Sequence, residues 1–320
     1  MKPLCHIATS LLATLATAAL LLLGGCAERT WPDLGAITYE PIVVASQMMQ
    51  GGGGSFEESA TPSNIYPKDE KFGVWVMALD ENLSWEYGGS HAEVLVNNQE
   101  VSWNGSEWNT AEPCKWPVLK QITVAAYSPA DAQAEFSYKN GVMFNNVDVL
   151  NEKSRELMWA GPVYDKKYGA SGGVVNLPFT SALCAVQFSV IPHLPEHVSV
   201  RVRSLSVEQL RHQGSFVSLP TPSWSTSGNH YKQLFFEGAE VVAPGEIRSL
   251  GAPVWLMPQM ARMKVVLVCD FLYEDATLPN QVLEIEKDAL WEPGRQYAYT
   301  LKIYTNKISF LHDSITGLTD

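Results

Sequence analysis

Between Phe72 and Leu79 the chain is apolar at almost every position, Phe72-Gly73-Val74-Trp75-Val76-Met77-Ala78-Leu79, which predicts a buried strand. Further on, apolar and polar residues alternate with a period of two. Val186, Phe188 and Val190 share one face, Val198, Val200 and Val202 another, and Tyr297, Tyr299, Leu301 and Ile303 a third, as in half-buried sheet strands. Gln121 to Tyr127 reads as a strand ending at Ser128-Pro129. Glu93–Val96 and Glu100–Trp103 flank Asn97-Asn98, a hairpin-like turn pair, and Trp103 to Trp108 looks like a second tight turn. Ala36 to Ala45 is rich in β-branched residues and predicts a strand; Gly51 to Gly54 then opens a mobile loop reaching about Pro67. Helical periodicity is scarce, with one or two turns expected between Ser154 and Ala160. Many short strands separated by Gly, Pro and Asn imply an all-β chain of β-sandwiches. The 320 residues suit two such domains in tandem, with the boundary placed in the Gly-rich stretch Gly169 to Gly173.

The N-terminus departs from this pattern. Lys2 is the only charge before Glu28, and the apolar stretch Ile7 to Leu23 ends in Leu23-Gly24-Gly25-Cys26. By length alone the stretch is close to a membrane-spanning segment. The small residues before Cys26 instead suit a peptidase groove, and the thiol after the cut can accept a diacylglyceryl group. Residues 1–25 are therefore read as a lipoprotein signal peptide, Cys26 as the lipidated mature N-terminus and residues 26–35 as a tether. The first sandwich spans residues 36–172 and the second residues 173–320. Several acyl chains on Cys26 would hold the protein on a membrane.

Composition narrows the partners. The chain has 22 basic and 34 acidic residues, a net charge of -12; loss of residues 1–25 removes Lys2 and no acid, leaving 21 against 34, or -13. Such a surface repels phosphate backbones, so nucleic acid is not an expected partner. Of five cysteines, Cys5 leaves with the signal peptide and Cys26 is acylated; Cys114, Cys184 and Cys269 make no disulfide framework. Cys184 and Cys269 lie in apolar strand runs, where free cysteine behaves as a small hydrophobe.

Two motifs imitate catalysis. His193-Leu194-Pro195-Glu196-His197 matches an inverted zinc-protease pattern, but the pattern needs a helix to bring both histidines to one face. Pro192 and Pro195 make it a loop, and no metal site or cofactor is expected. Gly169 to Gly173 matches the nucleophile-elbow spacing around Ser171, yet a strand follows where a helix is required. No catalytic residue is assigned, although sandwich hydrolases can carry acids on scattered strands. Among ten tryptophans, Trp75 reads as core, whereas Trp85, Trp103 and Trp108 fall in turn regions and are the candidates for ligand-binding aromatics.

Several phrases in sequence order resemble the fimbrillin family of surface lipoproteins, the components of type V pili. They are Lys71 to Met77; Lys115-Trp116-Pro117 with Val124 to Pro129; Glu156 to Ala160; Val175 to Phe188; Leu256 to Gln259; and Trp291 to Tyr299. Ser181 stands where the family pattern leads one to expect histidine, and the chain ends soon after Ile315. The resemblance implies two transthyretin-like β-sandwich domains, a lipid-anchored and surface-exposed place on the outer membrane, and partners that are other fimbrial subunits. In pilus-forming members a protease cuts after a basic residue, an N-terminal strand leaves, and a partner's strand fills the groove through main-chain bonds. Carried onto this chain, the strand-exchange segment is Ala36, Ile37, Thr38, Tyr39, Ile42, Val43, Val44 and Ala45. No Lys or Arg lies between Arg29 and Lys68, so processing that frees the strand falls on Lys68 or Lys71. The expected function is thus a non-enzymatic structural or adhesive fimbrial component, an anchor, tip or accessory subunit that keeps its first strand. The rivals are a lipoprotein binding host or bacterial surface glycans or proteins through exposed tryptophans, and a glycan-processing enzyme with paired carboxylates in a cleft.

Overall fold

The computed structural model describes residues 43–48, 66–150, 156–168 and 173–317. The signal peptide, Cys26 and its tether, Ala36 through Ile42, Gly51 to Gly54 and Gly169 to Gly172 lie outside the described residues. The described chain is almost entirely β. Its strands are β1 (Val43–Met48), β2 (Phe72–Asp80), β3 (Glu93–Trp103), β4 (Trp108–Thr110), β5 (Lys120–Ser128), β6 (Ala134–Ser137), β7 (Gly141–Asp148), β8 (Met158–Lys166) and β9 (Val174–Ser181). There follow β10 (Cys184–Pro192), β11 (Ser199–Val217), β12 (Ser223–Val242), β13 (Arg248–Leu256), β14 (Met260–Leu272), β15 (Thr277–Leu290), β16 (Arg295–Ile303) and β17 (Ile308–Gly317). A short helix, α1 (Trp85–Gly88), continues into a 3-10 turn over Gly89–His91.

Seven strands close a ring in the order β1-β4-β3-β2-β5-β8-β9. A second sheet runs β15-β14-β11-β7-β6, with β12 along the other side of β11, and a third runs β13-β10-β16-β17. The third sheet packs on the β11, β12, β14 and β15 part of the second. Between them lies a core that includes Cys184, Phe188, Val200, Leu267, Cys269 and Trp291. The ring encloses its own core around Phe72, Val74, Trp108, Trp116 and Phe179. Its outer face meets the β6, β7 and β11 end of the second sheet through Trp75, Met77, Tyr127, Phe144 and Phe216.

This double covering explains the unbroken apolar run of β2. Val74, Val76 and Ala78 point into the ring while Trp75, Met77 and Leu79 point into the layer outside it, so neither face meets water. The alternating strands behave as the period of two requires: Val186, Phe188 and Val190 are fully buried, as are Val200 and Val202. Cys184 and Cys269 are free and buried.

Four local expectations change. Asn97-Asn98 makes no turn, because β3 runs straight through it. Asn98 takes φ 53° and the pairing with β2 slips a residue between Val74 and Val76, which is a β-bulge rather than a hairpin. Met158 to Ala160 open β8 instead of a helical turn, held by pairing with β5 and β9. The first strand ends at Met48, not Ala45. After Gly173, β9 still pairs with β8 and β1, so the passage out of the ring falls between Ser181 and Cys184. The turn from Trp103 to Trp108 is present as expected: Asn104 Oδ1 accepts from the backbone N–H groups of Ser106 and Glu107, each at 2.9 Å.

Candidate functional site: the first strand and its seam

β1 closes the ring. It pairs in parallel with β9 over six residues, Val43 with Val174 through Met48 with Phe179, and antiparallel with β4 at Val44 and Trp108. Without it, β4 and β9 would each present a row of unpaired backbone donors and acceptors, the arrangement another strand can complete. Of the predicted exchange segment, Val43, Val44 and Ala45 lie in β1; Ala36, Ile37, Thr38, Tyr39 and Ile42 fall outside the described residues.

Where the chain comes back toward β2, Tyr66 drops into the ring. Its side chain is fully buried, with ring centroids 4.9 Å from Phe179, 5.4 Å from Phe72 and 5.5 Å from Trp108. The hydroxyl donates to the Lys71 carbonyl at 3.1 Å and shares a 2.6 Å hydrogen bond with Ser128 Oγ. Burial pushes the phenol far above its ordinary ionisation range, so it stays neutral. The mobile loop expected to reach about Pro67 therefore does not include Tyr66, and residues 49–65 lie outside the described residues. A lone aromatic amid Ser, Asn and Pro was the available signal, and loop composition masked it.

The two processing candidates lie just beyond. Lys68 sits in a turn closed by the Glu70 N–H to the Pro67 carbonyl at 3.2 Å, and its ammonium lies 4.2 Å from the Trp103 ring centre. Lys71 pairs with Glu100 at 2.7 Å, and its carbonyl also accepts from Ala130 N at 3.0 Å. Beside them opens a cleft of about 480 Å³ whose walls include Pro67, Lys71, Glu100, Asp131 and Glu156. Burial raises the ionisation range of Glu156.

Trp85, Trp103 and Trp108 form no exposed platform. Trp85 and Trp108 are buried, 6% and 4% exposed, and Trp103 is half-buried under Lys68. Trp85 packs on Phe136, Tyr138 and Tyr164, because α1 turns its ring inward. Of the candidate ligand-binding aromatics, Trp85 and Trp108 are thus core residues, whereas Trp103 is half-buried. His193 to His197 is the loop between β10 and β11, and no cluster of three or more metal-ligating side chains occurs among the described residues. No helix among the described residues is long and apolar enough to cross a membrane.

The strand order and the closed seam define an all-β architecture, and comparison places it. A family model described as fimbrillin-like matches residues 60–317, so the chain belongs to the fimbrillin-like family. A fimbrial protein from Bacteroides vulgatus superposes with a TM-score of 0.59 at 16% identity, covering 78% of this chain and 93% of that one. A protein from Bacteroides uniformis, whose description suggests a role in cell adhesion, superposes at 0.54 with 14% identity, covering 88% and 100%. At these identities the likeness establishes the fold. No curated protein matches the chain by sequence.

Proposed function

We propose that this protein is a structural or adhesive component of a cell-surface fimbria, held on the outer membrane through lipid on Cys26, that keeps its first strand and serves as an anchor or accessory subunit. The observation that carries this reading is the pairing of β1 on both edges: the sheet is complete within one chain. The absence of Lys or Arg from Thr30 to Pro67 supports it, since a trypsin-like cut at Arg29 would leave β1 in place. The partners are other fimbrial subunits, which meet this chain through its remaining open sheet edges.

The test is mass spectrometry of the N-terminus of the protein taken from its native cell surface. Acylated Cys26 contiguous with Val43–Met48 is the expected result. A chain starting at Asp69 or Phe72 would make it a strand-exchanging stalk subunit instead. Cys26→Ser is expected to release the protein from the membrane fraction, and unchanged fractionation would remove the lipid anchor from the proposal.

A further inference from the structure

We infer that Tyr66 is a latch that withholds the peptide bonds after Lys68 and Lys71 from trypsin-like proteases and so keeps β1 in the ring. The inference deepens the retained-strand reading by supplying its mechanism.

The protection falls on the backbone, not on the lysine head groups. Lys68 is exposed and the Lys71 side chain is 55% exposed, so both present the charge such an enzyme recognises. Cleavage also requires the residues flanking the bond to leave the surface as an extended segment, and the rate then follows the population of that open state. Here the segment from Tyr66 to Lys71 is fixed at both ends and in the middle. The Tyr66 ring is sealed among Phe72, Trp108 and Phe179. The turn at Pro67–Glu70 is hydrogen-bonded. The Lys71 carbonyl is held by the Tyr66 hydroxyl and by Ala130 N.

Topology couples the two events. Tyr66 lies on the N-terminal side of both bonds, so a trypsin-like cut that would free β1 must first lift this ring out of the ring core, and the cut fragment carries the latch away. A ligand or partner that displaced Tyr66 would expose both lysine bonds together.

The experiment is limited trypsin digestion of the full chain, following by mass spectrometry the new N-termini at Asp69 and Phe72, beside a free peptide of residues 62–75. The folded chain is expected to be cut at these bonds at least about a thousandfold more slowly than the peptide. Tyr66→Ala should raise cleavage at both bonds by at least about tenfold, and Tyr66→Phe, which keeps the ring and loses the hydroxyl, by about threefold. Wild-type cleavage within about tenfold of the peptide rate would overturn the latch, as would a folded Tyr66→Ala chain cut no faster than wild type. The wild-type comparison decides even if Tyr66→Ala does not fold. Rapid digestion in vitro alongside an intact N-terminus on the cell would sink the latch and leave the retained-strand reading standing.

Discussion

Asp270 is the most buried charge among the described side chains with ion-pair partners: it is 1% exposed, and Arg203 Nη2 lies 2.7 Å and Arg201 Nη1 3.4 Å from its Oδ2. Its Oδ1 accepts from Asn280 N at 3.0 Å. The Arg203 hydrogen bond, with that backbone donor, holds the carboxyl below the usual carboxylate range despite burial. A carboxyl depressed in the folded state binds its proton more readily when unfolded. Its contribution is therefore complete above the unfolded value of about 4 and is lost as pH falls through the lower folded value. Asp270→Asn should destabilise the protein by about 2 kcal/mol at neutral pH, because the fork of Arg203 loses its charged acceptor. The difference from wild type, measured by urea unfolding, should shrink on acidification toward about pH 2, and a pH-independent difference would refute the assignment. Nothing in the sequence marked Asp270, since the two arginines reach it only through the pairing of β11 with β14. The core cysteines were legible, because an apolar run around a thiol specifies burial locally. Burial raises both thiols, that of Cys269 to about 12, which makes them poor nucleophiles.

Among strands, the period of two carried most of the information, and it failed where one residue broke it. Asn97-Asn98 has the composition of a turn, yet the Tyr127 hydroxyl donates to Asn98 Oδ1 at 2.8 Å across the sheet and fixes the bulge. The same tyrosine explains a glycine. Gly73 pairs with Tyr127, and a Cβ built on Gly73 would fall 2.0 Å from the Tyr127 ring, so the ring lies where any side chain would stand. Gly73→Ala should cost about 1–3 kcal/mol, because Tyr127 must leave both Asn98 and its packing against Trp75 at 5.0 Å. The double variant Gly73→Ala/Tyr127→Ala should lose less than the sum of the two single losses. Strict additivity in thermal melts would show that the ring is not the obstacle.

For the molecule as a unit, the hairpin of β11 and β12 decides how the two packed regions communicate. The first part of β11, with Val200, Val202, Leu205 and Val207, belongs to the core against the third sheet, while Phe216 near its end belongs to the core outside the ring. Composition put the expected boundary at Gly169 to Gly173, whereas β9 stays in the ring to Ser181, and a strand shared between cores leaves no local mark. Its pairing with β14, β12 and β7 joins residues far apart in sequence. Phe216 is fully buried, with its ring 5.9 Å from Phe144, 6.0 Å from Trp159 and 5.6 Å from Trp224. Because one hairpin crosses both cores, melting either region strips pairing from the other, and the wild-type chain should unfold in one calorimetric transition. Phe216→Ala leaves the core against the third sheet untouched while removing about 3–5 kcal/mol from the layer outside the ring. That imbalance should split the transition, the ring with its outer layer melting first. Two transitions in the wild type would mean that the hairpin does not couple the cores, whereas a single one in Phe216→Ala displaced by the full loss would mean that the coupling outlasts the imbalance.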